Sequence, residues 1–216
     1  MPELPEVETI VRALQTNVGA SIKNIEIRRK DILRLEEFPT AELHGRTIKN
    51  IRRRGKFLIF ELGSDLNLIF HLGMSGRFYM QAATEEPVEK HIHVIMNLNN
   101  GISLIYQDPR RFGGVWLVRD RERFFSNMGR EPLSSGFTAV YLEGILKQRK
   151  APVKNLLLNQ HLISGIGNIY ADESLFTAGI RPDRPAASLS RQEIKKLHRS
   201  IRKVLRQGIK LRGTTF

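Results

Sequence analysis

Cysteine is absent from the 216 residues. That excludes a disulfide framework and any thiolate-bound metal within this sequence. No apolar run approaches the length of a membrane span, because the hydrophobic stretches are short and broken by charge. The opening MPELPEVETI has no apolar core and does not read as a signal peptide. Internal repeats and low-complexity tracts are missing too. These absences leave a soluble, cytoplasmic bacterial-type protein as the expectation. Acidic residues are also in short supply, 22 against 35 Lys and Arg, for a net charge of +13. A polyanionic partner follows naturally from that imbalance. Hydrophobic residues make up 41% of the chain, enough for a real core in one large domain or two small ones.

Residues 5–18 read as an amphipathic helix, with Pro5 suited to a first helical position, Val7, Ile10, Val11 and Leu14 on one face, and Gly19 as a stop. Strand-like runs follow at 22–27, 47–52, 57–62, 66–71, 91–98, 102–106 and 115–118, separated by Gly, Asn and Asp turns. Asn99-Asn100-Gly101 is a hairpin signal. The N-terminal half therefore reads as a β-sandwich or barrel preceded by a helix. After about residue 120 helical spacing takes over: near 142–147, from Pro152 to Leu158, and from about Asn168 to Thr177 behind the turn Ser164-Gly165-Ile166-Gly167. A final helix begins at a capping box, Ser190 to Glu193, with Ile194, Leu197, Ile201, Val204 and Leu205 apolar and much of its surface basic. The fold class is α+β, and the simplest division sets 1–125 apart from 126–216.

Five groups of residues can carry chemistry. Once Met1 is removed, Pro2 has a free secondary amine, and an α-amino group titrates near ~8, so part of it is nucleophilic at neutral pH. Such an amine attacks an anomeric carbon and gives an iminium. Glu3 and Glu6 stand within a turn of it as candidate proton donors, although helix capping explains Pro and Glu there equally well. Lys56 ends the basic run Arg52-Arg53-Arg54-Gly55-Lys56 and suits a phosphate or a catalytic charge; a basic strand-edge turn is the plainer account. In His71-Leu72-Gly73-Met74-Ser75-Gly76-Arg77, Met74 sits on a tight loop, either as a core residue or as a wedge for a base stack. In Asp108-Pro109-Arg110-Arg111-Phe112-Gly113-Gly114, Phe112 can stack and Arg110 can bond an unpaired base. Lys154 and Asn168, the latter opening a helix after a glycine turn, fit phosphate binding; Asn168 also fits a simple helix cap. His91 and His93 alternate on a strand without metal-ligand spacing, so structural or phosphate-side roles are expected. Trp116 reads as core.

MPELPEVET, HLGMSGR, DPRRFGG and SGIGNIYADESL, in this order across nearly the whole chain, resemble formamidopyrimidine-DNA glycosylases. The resemblance implies an N-terminal helix and β-sandwich domain followed by a helical domain with a helix–two-turn–helix motif. It implies excision of 8-oxoguanine and formamidopyrimidines from double-stranded DNA in base excision repair, with abasic-site lyase activity through a Schiff base and β,δ-elimination. By position, Pro2 is the nucleophile, Glu3 the general acid, Glu6 a supporting carboxylate and Lys56 the lysine near the lesion phosphate. Met74, Arg110 and Phe112 match the set that fills the gap left by the flipped nucleotide, with Arg110 facing the orphaned cytosine. Lys154 and Asn168 match phosphate-binding positions, and His91 joins the DNA-binding set.

The family pattern continues past Gly213-Thr214-Thr215-Phe216 into a lesion-contacting loop and a four-cysteine zinc finger. The resemblance thus implies a chain that stops short of that finger and holds no zinc or other cofactor, although a full-length member would carry zinc. It implies a monomer that works at the bacterial nucleoid. Two other readings belong to neighbouring classes: an endonuclease VIII-like enzyme for oxidised pyrimidines, and a DNA-binding fragment without turnover.

Overall fold

The computed structural model describes residues 1–34, 39–63 and 65–213. Thr214–Phe216, at the start of the expected lesion-contacting loop, lie outside the described residues. The chain divides into two compact units: Met1–Pro2 with Val7–Phe124, and Glu3–Glu6 with Phe125–Phe216.

The first unit carries most of helix α1 (Leu4–Leu14), strands β1 (Ile22–Ile27), β2 (Asn50–Arg54), β3 (Phe57–Glu61), β4 (Asn67–His71), β5 (Arg77–Ala82), β6 (Ile92–Leu98), β7 (Ile102–Gln107) and β8 (Gly114–Val118), and the short helix α2 (Arg121–Phe124). The strands form two antiparallel four-stranded sheets, ordered β1-β6-β7-β5 and β2-β3-β4-β8. This is the sandwich rather than the barrel. Alternation along each strand sends one set of side chains inward. Leu58 and Phe60 of β3, Leu68 and Phe70 of β4, and Val94 and Met96 of β6 share one core with Val7, Val11 and Leu14 of α1. Phe70 packs edge-on against Phe78 with ring centroids 5.0 Å apart.

Three sequence readings are corrected here. Trp116 is only half-buried. It faces away from Val115 and Leu117, in an aromatic group with Phe57 and Phe124. Strand β5 escaped notice because it is an edge strand on which only Phe78 is buried, so its hydrophobic alternation is weak. His91 does not alternate with His93 on a strand. It is exposed, in a left-handed turn with φ 67°, ahead of β6. His93 is buried within β6.

The second unit holds α3 (Ala139–Lys147), α4 (Val153–Leu158), α5 (Asn168–Ala178) and α6 (Arg191–Lys210). Its core gathers Phe137, Leu142, Leu157, Tyr170, Leu175, Ile194, Leu197, Ile201 and Leu205. Leu4 belongs to this core, fully buried, and its N–H donates to the Gly165 carbonyl at 3.0 Å. That is why the first turn of α1 groups with the helices, whereas the sequence division kept it with residues 1–125. Helix α6 starts at a reciprocal capping box: Ser190 accepts from the Glu193 N–H, and the Glu193 carboxylate accepts from the Ser190 N–H.

Candidate functional site

In the helical unit the feature that organises the site is Glu3. Its side chain is buried and lies across the N-terminus of α5. One carboxylate oxygen accepts from the Gly167 N–H at 2.6 Å and the Tyr170 N–H at 3.4 Å, and the other from the Ile169 N–H at 2.9 Å. The first turn of a helix has unsatisfied N–H groups and the positive end of the macrodipole, so it is a natural seat for a carboxylate. Gly167 makes that seat possible, because a β-carbon there would stand 2.4 Å from the Glu3 carboxyl carbon. Glu6 accepts from the Glu3 N–H at 2.9 Å and from the Tyr170 hydroxyl at 2.8 Å. Half-buried Pro2 is bonded directly to this anchored residue.

Asn168 is exposed and is the first residue of α5, but its side chain does not cap the helix. Glu3 does that from far away in sequence, which leaves the Asn168 amide facing solvent. Lys154 is paired with Asp172 at 2.9 Å.

In the β unit Lys56 sits in the two-residue loop between β2 and β3, closed by the Arg54–Phe57 pair, and only 7% of it is exposed. His71, at the end of β4, packs at a tilt against Phe57, with ring centroids 4.9 Å apart. Burial, then the charges of Lys56 and Arg34, hold the His71 imidazole below its usual range. Its Nδ1 accepts from the Gly73 N–H at 3.2 Å, so the neutral ring carries its proton on Nε2.

Met74 and Phe112 are 45% and 56% exposed. The Arg110 guanidinium lies over the Phe112 ring, 4.7 Å from its centroid. The two loops that carry these tips touch backbone to backbone: a β-carbon at Gly73 would stand 2.5 Å from the Gly113 nitrogen and the Phe112 carbonyl carbon. Beneath them is fully buried Asp108. It accepts from the Ser75 hydroxyl at 2.6 Å and the Gly113 N–H at 2.8 Å, and Tyr106 donates to it at 3.3 Å. Ser75 in turn accepts from the Arg110 N–H at 3.1 Å. Burial, then Asp108, push the Tyr106 phenol far above its ordinary range. Beside the loops, Arg28, Arg29, His91, His93 and Arg111 line a basic slot of about 420 Å³. Asp31 pairs with both Arg29 and Arg111. Arg29 foremost holds its carboxyl down at about 2.

Sequence reasoning found the exposed tips and missed the residues beneath them. Asp108 and Ser75 stood inside the quoted motifs, but nothing in their spacing reveals a hydrogen bond across 33 residues. Among the described residues no cluster of three or more His, Asp or Glu side chains is placed to hold a metal. With no cysteine either, residues 1–216 do not fit a four-cysteine zinc site. Among the described residues no helix is long and apolar enough to cross a membrane.

Exposed apolar tips around an arginine, on a strongly basic protein, are suited to entering a base stack. The class so defined is a nucleic-acid-binding protein. Residues 1–115 match the model of the formamidopyrimidine-DNA glycosylase N-terminal domain, and residues 128–216 that of the H2TH domain of the same enzymes. The chain is 56% identical over 216 residues to the formamidopyrimidine-DNA glycosylase of Syntrophomonas wolfei, covering 100% of this chain and 81% of that protein. Identity to the Rickettsia felis formamidopyrimidine-DNA glycosylase is 43% over 221 residues, covering 100% and 80%. The crystal structure of the Lactococcus lactis formamidopyrimidine-DNA glycosylase, noncovalently bound to DNA containing an abasic site, matches with TM-score 0.92 at 38% identity, covering 98% of this chain and 83% of that one. A complex of the Lactococcus lactis enzyme with Fapy-dG-containing DNA gives TM-score 0.92 at 39% identity, covering 98% and 82%. The chain belongs to the formamidopyrimidine-DNA glycosylase family, and is thereby a DNA glycosylase of base excision repair.

Proposed function

We propose that this protein excises 8-oxoguanine and formamidopyrimidines from duplex DNA and cleaves the strand at the resulting site, with Pro2 as the nucleophile. The neutral Pro2 nitrogen attacks C1′ of the lesion nucleotide. The glycosidic bond breaks, and its electron pair leaves with the base, which takes up a proton. The new C1′–N bond leaves a proton on nitrogen. Glu3 accepts it and passes it to O4′ as the sugar ring opens to an iminium. Loss of a C2′ proton to water then expels the 3′-phosphate, loss of a C4′ proton to water expels the 5′-phosphate, and hydrolysis of the iminium frees Pro2 and releases the sugar remnant as an unsaturated aldehyde. Three backbone N–H groups hold the Glu3 carboxylate in place beside the reacting sugar. Glu6 supports the same turn.

Met74 and Phe112 fill the gap left by the flipped nucleotide, and Arg110 hydrogen-bonds the orphaned cytosine. Lys56, His91, Lys154 and Asn168 contact phosphates. The partner is double-stranded DNA with oxidised bases or abasic sites. The reaction needs no metal or other cofactor, and the protein works as a monomer in the bacterial cytoplasm, at the nucleoid. The domains that do this are the β-sandwich through residue 125 and the helical domain from residue 126, with Glu3–Glu6 lent to the latter.

The observation that carries this reading is the anchored Glu3 carboxylate directly after Pro2. It requires removal of Met1, because a Pro2 nitrogen held in a peptide bond has no pair to donate. The test is borohydride trapping on an 8-oxoguanine duplex, with N-terminal mass analysis of the protein used. A covalent adduct that maps to the N-terminal peptide is expected with the processed protein. An adduct that maps to any other peptide would mean another nucleophile. Faster action on a thymine glycol duplex would move the substrate class to oxidised pyrimidines.

A further inference from the structure

Asp108 touches no solvent, yet the exposed tips Arg110 and Phe112 follow it closely in the chain. Its carboxylate is satisfied by neutral donors: the Ser75 hydroxyl, the Gly113 N–H and the Tyr106 hydroxyl. A buried charge held in this way adds little to stability compared with an apolar side chain of the same size. It does join two loops that are far apart in sequence. One oxygen holds the residue after Met74, the other the residue after Phe112, and Ser75 closes the circuit by accepting from the Arg110 N–H at 3.1 Å. The His93 Nε2–H donates to the Asp108 carbonyl at 2.8 Å, and the Arg111 N–H donates to the same carbonyl at 3.1 Å. The backbone under the carboxylate is therefore fixed as well.

We infer that Asp108, acting through Ser75, is a positioning residue that locks the Met74 loop and the Arg110–Phe112 loop into one preformed wedge, and that this preformed shape sets the rate at which a base is extruded from duplex DNA. The physical ground is preorganisation. Each loop residue that must be ordered during insertion costs conformational entropy, and a wedge ordered beforehand avoids that cost at the moment of extrusion. The inference rests on the intercalating role proposed above.

Two substrates separate positioning from general damage. The first is an 8-oxoguanine·cytosine duplex, where the base must be extruded. The second is single-stranded DNA with a preformed abasic site, where nothing is extruded. Ser75→Ala breaks the link between the loops and leaves the Gly113 and Tyr106 contacts of Asp108 in place. Under single-turnover conditions it should slow excision from the duplex about tenfold, as expected for losing a hydrogen bond to a charged group, with cleavage of the single strand unchanged. Ser75→Thr keeps the hydroxyl and should restore the duplex rate. Asp108→Ala removes both arms and should have the larger effect on the duplex; if it does not fold, Ser75→Ala decides. Equal loss on both substrates, or no loss on the duplex, overturns the inference and leaves the glycosylase reading standing. Inactivity of the unsubstituted, Met1-processed protein on both substrates overturns the two together.

Discussion

A β-carbon at Gly167 would meet the Glu3 carboxylate at 2.4–2.5 Å, a side chain already held by three backbone N–H groups. Gly167→Ala must therefore move Glu3 off the α5 N-terminus. Its cost in stability should be about 1–3 kcal/mol, the usual range for overpacking, and it should slow single-turnover excision at least as much as Glu3→Gln does. A urea midpoint and a single-turnover assay check the two halves of this prediction. His71 offers a second one. Burial depresses its folded-state value, so the unfolded chain takes up the proton first as pH falls. Stability contributed by neutral His71 is complete above the usual value near 6.5 and is lost as pH falls below it. His71→Gln should flatten the decline in melting temperature between about pH 6.5 and 5, and an unchanged slope would rule out His71 as its source.

At the level of elements, α6 shows how a local sequence signal becomes a stability term. Ser190→Ala removes one side of the capping box and should cost about 1 kcal/mol in urea denaturation, with excision unaffected because the box lies outside the proposed chemistry. Its partner Glu193 is held down at about 2, foremost by Arg184 and then by Ser190. The contribution of its ionised form is present above the usual value near 4.5 and is lost as pH falls towards 2. Glu193→Gln should remove that part of the acid sensitivity. This box was legible because capping is read over four residues. The same holds for the Asn99–Gly101 hairpin. The sequence pattern puts the end of α1 too late, at residue 18 instead of Leu14, because a 3-10 turn over Gln15–Asn17 carries the coil on towards Gly19. Edge strand β5 was not legible, since a strand covered on one side by a single residue lacks the alternation that marks its neighbours. Nor was the identity of the α5 cap. Asn168 is the obvious local candidate, but the acceptor comes from Glu3, 164 residues away from Gly167, and no pattern within a window can report that.

For the molecule as a whole, the net +13 makes duplex binding steeply salt-dependent, because each neutralised phosphate releases counterions. Lys154→Ala should lower the slope of log K against log salt by about 0.9 and weaken binding to all sequences alike. Asp172→Asn frees Lys154 from its partner and should tighten binding at low salt. Titrations at several salt concentrations check both, and a sequence-dependent effect of Lys154→Ala would argue against a phosphate contact.

Helix α1 divides between the units, its first turn with the helices and the rest with the sheets. That division also puts the assembly of the site in an order of time. Pro2 and Glu3 are made before Gly167, Ile169 and Tyr170, which seat Glu3, by roughly 10–30 s at ordinary rates of synthesis. Throughout that interval the seat of Glu3 does not yet exist. The removal of Met1 that the proposed mechanism requires thus has its window before Glu3 is seated, so the proposed nucleophile would be made ready first and its neighbouring carboxylate fixed last.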